Sequence, residues 1–167
     1  MYQEIVRFAG EDSWAPPTVI HWAMAPPACL RVLRARGVRV LSGFFRRMPN
    51  GSYDINYGLD PVRSALADRH DALMDFGSGL LFSRIDIVCN NTAVEQVVPT
   101  LEPLTRDPQH AEVMDLFTHE QYFWDFYERY VPDHFARLEK AISFCAERGY
   151  EPVWFHEGLM GSPAEEW

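Results

Sequence analysis

The chain lacks most of the features from which a function is read directly. No apolar run approaches the ~18 residues of a membrane-spanning helix. Its first residues, MYQEIVRFAGED, have neither the basic start nor the apolar core of a secretory signal, so the expected location is the cytoplasm. Positive charge is short, with 15 Lys and Arg against 24 Asp and Glu and a formal net charge of −9. That balance argues against nucleic acid or an anionic membrane as the main partner. Cysteine is scarce: Cys29, Cys89 and Cys145 are odd in number, far apart and each set in apolar sequence. They read as buried free thiols, without the spacing of a zinc site. No Gly-rich phosphate loop, serine nucleophile elbow or HExxH occurs.

What is present is apolar. Of 167 residues, 47% are hydrophobic and 14% aromatic, enough for one domain over 1–167 with a packed core. Residues 2–9 read as a helix end with Ile5, Val6 and Phe8 on its apolar side. TVIHWAM (18–24) has the β-branched start of a buried strand. Pro26 and Pro27 suit the first turn of a helix that turns Leu30 and Leu33 inward, and Gly37 stops it before the strand VRVLSGFF (38–45). Residues 46–84 break this rhythm. Asn50-Gly51 between strand-like flanks predicts a β-hairpin, followed by a short helix near Asp60–His70 and by DFGSGLLFSR, another turn and strand. The segment reads as an insertion between core units.

RIDIVCNN (84–91) returns to a buried strand. Thr92 and Glu95 form a capping-box pattern for a helix carrying Val94, Val97, Val98, Leu101 and Leu104, which Pro99 should kink or divide. AEVMDLFTHE reads as the next strand. A helix from about Pro132 places Phe135, Leu138, Ile142 and Cys145 on one stripe, Gly149 ends it, and YEPVWF reads as a last strand. The fold class is therefore α/β, a mostly parallel sheet of βα units with about five core strands and a β-hairpin insertion.

In parallel α/β folds, sites gather at the carboxyl ends of the strands. His21, Asn90, Asn91, His119, Glu120, His156 and Glu157 fall at or near such ends. Each His-Glu pair directly follows an apolar strand and could supply acid–base groups or metal ligands. Asp115 shares a strand side with His119, and a buried carboxylate needs a partner; it either orients a histidine or bonds a backbone amide. His21 is mid-strand and reads first as a core histidine. Tyr122, Phe123, Trp124, Phe126, Tyr127 and Tyr130 crowd the segment after His119. They suit either a stacking platform for sugar rings or a hydrophobic plug.

The run LFTHE (116–120), a helix, and then ERGYEPVWF resembles the last signature of NodB-type polysaccharide deacetylases: Leu-x-His-Asp, helix, Lys-x-x-Gly-Tyr, strand. SWAPPTVIHWAMAPPACLRVLRARGVRVL resembles the family's middle signature, although its arginine is absent. The resemblance implies a partial (β/α) deacetylase-like barrel and an acyl hydrolase acting on carbohydrate. It implies His119 as the catalytic acid, oriented by Asp115 or Glu120, and Phe117 as a wall of the acyl pocket. Tyr122, Trp124 and His21 are the further candidates for substrate contact. It also implies a divalent metal such as zinc, which activates water. The family's Asp-Asp pair and His-x-x-x-His motif are not found, and by order the chain begins near the helix before the middle signature, two or three βα units late. Enzymatic activity is thus expected if the metal-binding strands are supplied elsewhere, and unpaired strand edges would favour a homo-oligomer. The alternative from the same barrel is a non-catalytic carbohydrate-binding or assembly domain.

Overall fold

Ser42 and Ser83 face each other across a pair of parallel strands and mark where the two halves of the chain meet. β1 (Val40–Gly43) runs parallel to β5 (Leu80–Arg84), and β4 (Ala72–Asp75) pairs antiparallel on the other side of β5. The computed structural model describes residues 2–11, 16–153 and 155. The central strand LLFSR is buried along nearly its whole length, as a run apolar on both faces requires. Around it gather Leu30, Val38, Leu41, Phe45, Tyr57 and Leu59, the first core.

Local chemistry explains most elements of this half. α1 covers Tyr2–Ala9; its Phe8 is exposed, while Ile5 and Val6 are half-buried. α2 (Pro27–Ala35) starts on a proline and turns Leu30 inward, and Gly37 at φ +89° releases the chain into β1. β2 (Arg46–Arg47) and β3 (Tyr53–Asp54) form the expected hairpin, with the Asn50 side chain accepting from the Ser52 amide. α3 (Pro61–Arg69) is capped by Asp60, whose carboxylate accepts from the amides of Val62 and Arg63. Phe45 and Tyr57 hold left-handed backbone angles near +50°, a conformation that L residues resist. Both rings are fully buried against Phe82, and the Tyr57 hydroxyl donates to the Ser42 carbonyl at 2.6 Å. Packing overrules the local preference there.

The second half is smaller. β6 (Ile87–Val88) runs parallel to β7 (Leu116–Phe117), and α4 (Val94–Leu101) packs on α5 (His134–Glu147). Ile87, Cys89, Val97, Leu101, Ala141 and Phe144 make the second core. The α/β class with parallel pairing is present, in five helices and three small sheets; the strands of the described residues do not close into a barrel. No helix among the described residues is long and apolar enough to cross a membrane.

Several expectations are corrected. TVIHWAM is not a strand: His21–Ala23 form a 3-10 turn, with Trp22 at φ +56°, and His21 is exposed rather than a core residue. Only the Thr18 carbonyl meets the sheet, accepting from the Ser42 amide at 2.7 Å. The 46–84 segment, expected as an insertion, supplies β4 and the central strand β5. The capping box does not form, because the Thr92 hydroxyl donates back to the Val88 carbonyl. Pro99 sits inside α4, and the helix stops two residues later. On α5 the buried face is His134, Ala141, Phe144 and Cys145, while Phe135 and Ile142 are exposed. Leu138 and Cys145 of the expected stripe do pack on the second core, whereas His134 and Ala141 take the inward places expected of their neighbours Phe135 and Ile142, about 100° round the helix. Cys29 is exposed, whereas Cys89 and Cys145 are buried. Residues 151–153 form no strand, and Trp154, His156 and Glu157 lie outside the described residues.

Candidate functional site at the carboxyl ends of β6 and β7

The two parallel strands deliver Asn90 and His119 side by side. After β6, the chain closes a 3-10 turn over Cys89–Asn91, which fixes the Asn90 side chain in a buried position. After β7, Thr118 and His119 continue extended before a second 3-10 turn over Glu120–Phe123. His119 Nδ1 lies 3.1 Å from Asn90 Oδ1, and Asn90 Nδ2 donates to Asn91 Oδ1 at 2.8 Å. Because the Asn90 amide nitrogen is engaged with Asn91, its oxygen is the atom facing the ring. His119 Nδ1 therefore carries the hydrogen, and Nε2 is the nitrogen left to hold or move a proton.

Aromatic groups surround this imidazole. Phe117 meets it edge to face with centroids 4.8 Å apart, and Tyr122 stands 6.0 Å away. Trp124 and Phe126 stack nearly parallel, 16° apart, and both are exposed. The crowded segment after His119 is thus divided, with Tyr122 and Phe123 set against His134 and Trp124 and Phe126 open to solvent. Glu120 is exposed beside it.

Two residues that sequence reasoning passed over support the rim from α5. His134 is almost fully buried against the Phe123 ring at 4.2 Å, and its Nε2 lies 3.0 Å from the Thr118 hydroxyl. Burial, helped by the Arg137 guanidinium, holds its pKa below the usual histidine range. Arg137 donates to the Asn90 carbonyl at 3.0 Å and pairs with Asp133, tying the helix to the turn that carries Asn90. The available signal was their place in PDHFAR, at the start of a helix directly after the aromatic segment.

Comparisons with protein-family models, with curated proteins and with solved structures each found no match to this chain.

Asp115 does not orient His119. Its Oδ2 accepts from the Ser42 hydroxyl at 2.7 Å and from the Ser83 hydroxyl at 3.0 Å, at the opposite end of β7. Burial pushes its carboxyl upward, with the two hydroxyls acting against that push. His21 belongs to a separate turn, where its nearest ring is Trp22 at 6.0 Å. Phe117, Glu120, Tyr122 and Trp124 share the rim with His119; His21 and Asp115 do not.

The rim brings together no set of three metal-ligating side chains among the described residues. Among the described residues, one group of three metal-ligating side chains comes together, Asp71, Asp86 and His110. Asp86 precedes β6 and Asn90 follows it, so that group and His119 lie about 10 Å apart at opposite ends of the strand pair. A metal-bound water at His119 is not what these residues fit. Two concavities, of 160 Å³ beside Leu30 and Arg63 and of 440 Å³ beside Arg148 and Tyr150, also lie away from the rim.

Proposed function

We propose that the rim of β6 and β7 binds carbohydrate and that His119 moves a proton during removal of an acyl group from it, as in a polysaccharide deacetylase-like hydrolase. The observation that carries this reading is the Asn91–Asn90–His119 hydrogen-bond chain, which occupies Nδ1 and leaves Nε2 available for proton transfer. In the reaction, Nε2 takes a proton from the water that attacks the acyl carbonyl. The tetrahedral intermediate then collapses, and the imidazolium returns that proton to the departing sugar amine or hydroxyl. Phe117 gives the acyl methyl an apolar wall, and Tyr122 and Trp124 offer faces to the C–H side of a sugar ring.

The experiment is acetate release from N- and O-acetylated oligosaccharides, with and without added zinc or cobalt. His119→Gln is expected to lower the rate by about 10² or more, the usual share of a general acid–base group. Absence of acetate from every oligomer with the natural chain would sink the hydrolase reading.

The exposed Trp124–Phe126 pair favours a second reading, a non-catalytic carbohydrate-binding or assembly domain. It predicts oligosaccharide binding that is lost in Trp124→Ala and kept in His119→Ala. Equal loss in both variants counts against it. Assembly through the outer edge of β4 is the homo-oligomer this reading allows, and sedimentation of the purified chain measures it.

A further inference from the structure

We propose that Asp71, Asp86 and His110 bind one divalent transition-metal ion, of the zinc, cobalt or manganese class, which clasps the two cores of the molecule together. The inference is independent of the carbohydrate reading and concerns the opposite end of β6 and β7.

The three residues come from separate pieces of chain that meet at the seam. Asp71 immediately precedes β4 of the first core. Asp86 lies in the link between β5 and β6, and His110 is in the loop before β7. Asp71 already bridges the halves through its backbone and one carboxylate oxygen. Its amide donates to the Gln109 carbonyl, its carbonyl accepts from the Arg84 amide, and its Oδ2 accepts from the amides of Glu112 and Val113, each at 3.0 Å. Its other oxygen, Oδ1, is buried without a hydrogen-bond partner.

His110 supplies the second observation. Its side chain is only 9% exposed, and its Nδ1 is likewise buried without a hydrogen-bond partner. The two orphaned atoms face each other at 3.7 Å. That is too long for a hydrogen bond and close to the ~3.4 Å that separates two ligands on one tetrahedral ion with metal–ligand bonds of about 2.1 Å. One ligand atom from Asp86 completes a set whose members all lie within 4.8 Å of one another.

The charge balance agrees. Arg84 donates to Asp86 Oδ1 at 2.8 Å and stands 3.6 Å from Asp68, while the Asp71 carboxylate faces the His110 ring. Asp115 beside them directs its carboxylate to Ser42 and Ser83, and it meets Asp86 through its amide. Three carboxyl groups thus crowd the seam beside one guanidinium, a setting that a bound cation would relieve. Two carboxylate oxygens and one imidazole nitrogen suit zinc, cobalt or manganese. Calcium prefers six to eight oxygens, and thiolate-seeking ions find no sulfur in the set. Arg84 competes for Asp86, so Asp71 and His110 are the dominant ligands and water fills the remaining positions.

The test is titration of the EDTA-treated full chain with zinc chloride by calorimetry and with cobalt chloride by absorption. The expected result is one ion per chain and a melting temperature raised by the metal. The cobalt bands should lack thiolate charge transfer. His110→Asn and Asp71→Asn should each weaken binding at least tenfold, and His119→Ala should leave it unchanged. A variant that fails to fold is bypassed by nitrogen NMR of the natural chain, in which the His110 ring signals must shift on adding zinc. No saturable uptake, unmoved His110 signals, binding unchanged in folded His110→Asn, or binding abolished by Cys89→Ala would each overturn the proposal.

Discussion

At the residue scale, one strand carries two polar side chains to different ends of the molecule. Asp115 and His119 are four residues apart and share a strand side, yet Asp115 joins the Ser42–Ser83 pair while His119 meets Asn90. Their variants should therefore separate. Asp115→Ala strips two buried hydroxyls of a charged acceptor and is expected to cost about 3 kcal/mol or more of stability, read by urea denaturation. It should leave the pH profile of any hydrolysis unchanged; a shifted profile would restore Asp115 to the site. Asn90→Ala is expected to do the converse. It frees the His119 tautomer and lowers turnover by about 10–100-fold, the loss typical when a group orienting a functional histidine is removed. An unchanged rate would show that the hydrogen-bond chain is not used.

At the element scale, turns and helix stops were legible, and the Thr92 cap and the helix faces were less so. The Asn50-Gly51 hairpin, the proline start of α2 and the Gly149 stop each follow from one or two residues. Gly149 holds φ +84° with open space where a Cβ would stand, so Gly149→Ala should cost about 1 kcal/mol, from the backbone alone. A larger loss in thermal melts would mean that the following chain packs against it. The β4–β5 turn gives a pH prediction. Burial pushes the Asp75 carboxyl up, but the Ser78 hydroxyl and amide and the Arg63 guanidinium outweigh it and hold the pKa below the usual range. A lowered folded pKa contributes stability that is present above the unfolded value, about 3.9, and is lost as pH falls through the folded one. Between pH 5 and pH 3 the natural chain should thus lose more stability than Asp75→Asn, and parallel denaturation curves would refute this. The buried stripe of α5 holds at Leu138 and Cys145 and fails at Phe135 and Ile142, because His134 reads as polar and Phe135 as apolar. At neighbouring positions a helix can bury either, and the partner helix chooses.

At the scale of the whole molecule, two small cores meet along a polar seam made by Asp71, Asp86, Asp115, Ser42 and Ser83. The same division governs the cysteines. Cys89 and Cys145 lie in the second core, where burial pushes both thiols up to about 11, and Cys29 is exposed on α2. A thiol reagent should therefore label one cysteine in the native chain and three after denaturation. Three reactive thiols at the outset would mean that the second core opens readily. The seam was not legible in the sequence, because its members are spread from Ser42 to Asp115; Asp115 reads as a buried carboxylate in need of a partner, but nothing local names Ser42 and Ser83 as that partner.

The sequence by itself determined the α/β class, the positions of the main helices and most of their stops. It also placed His119 at a strand end beside an aromatic segment. These depend on contacts within a few residues, where backbone stereochemistry and hydrophobic periodicity act directly. Only the tertiary structure decided that LLFSR is the centre of the sheet, that Asp115 serves the seam, and that Asn90 meets Nδ1 of His119. It also decided that Asp71 and His110 turn unpartnered atoms toward each other. Each of these is a contact between residues about 30 or more positions apart, and no local pattern encodes which distant polar group will satisfy a buried one.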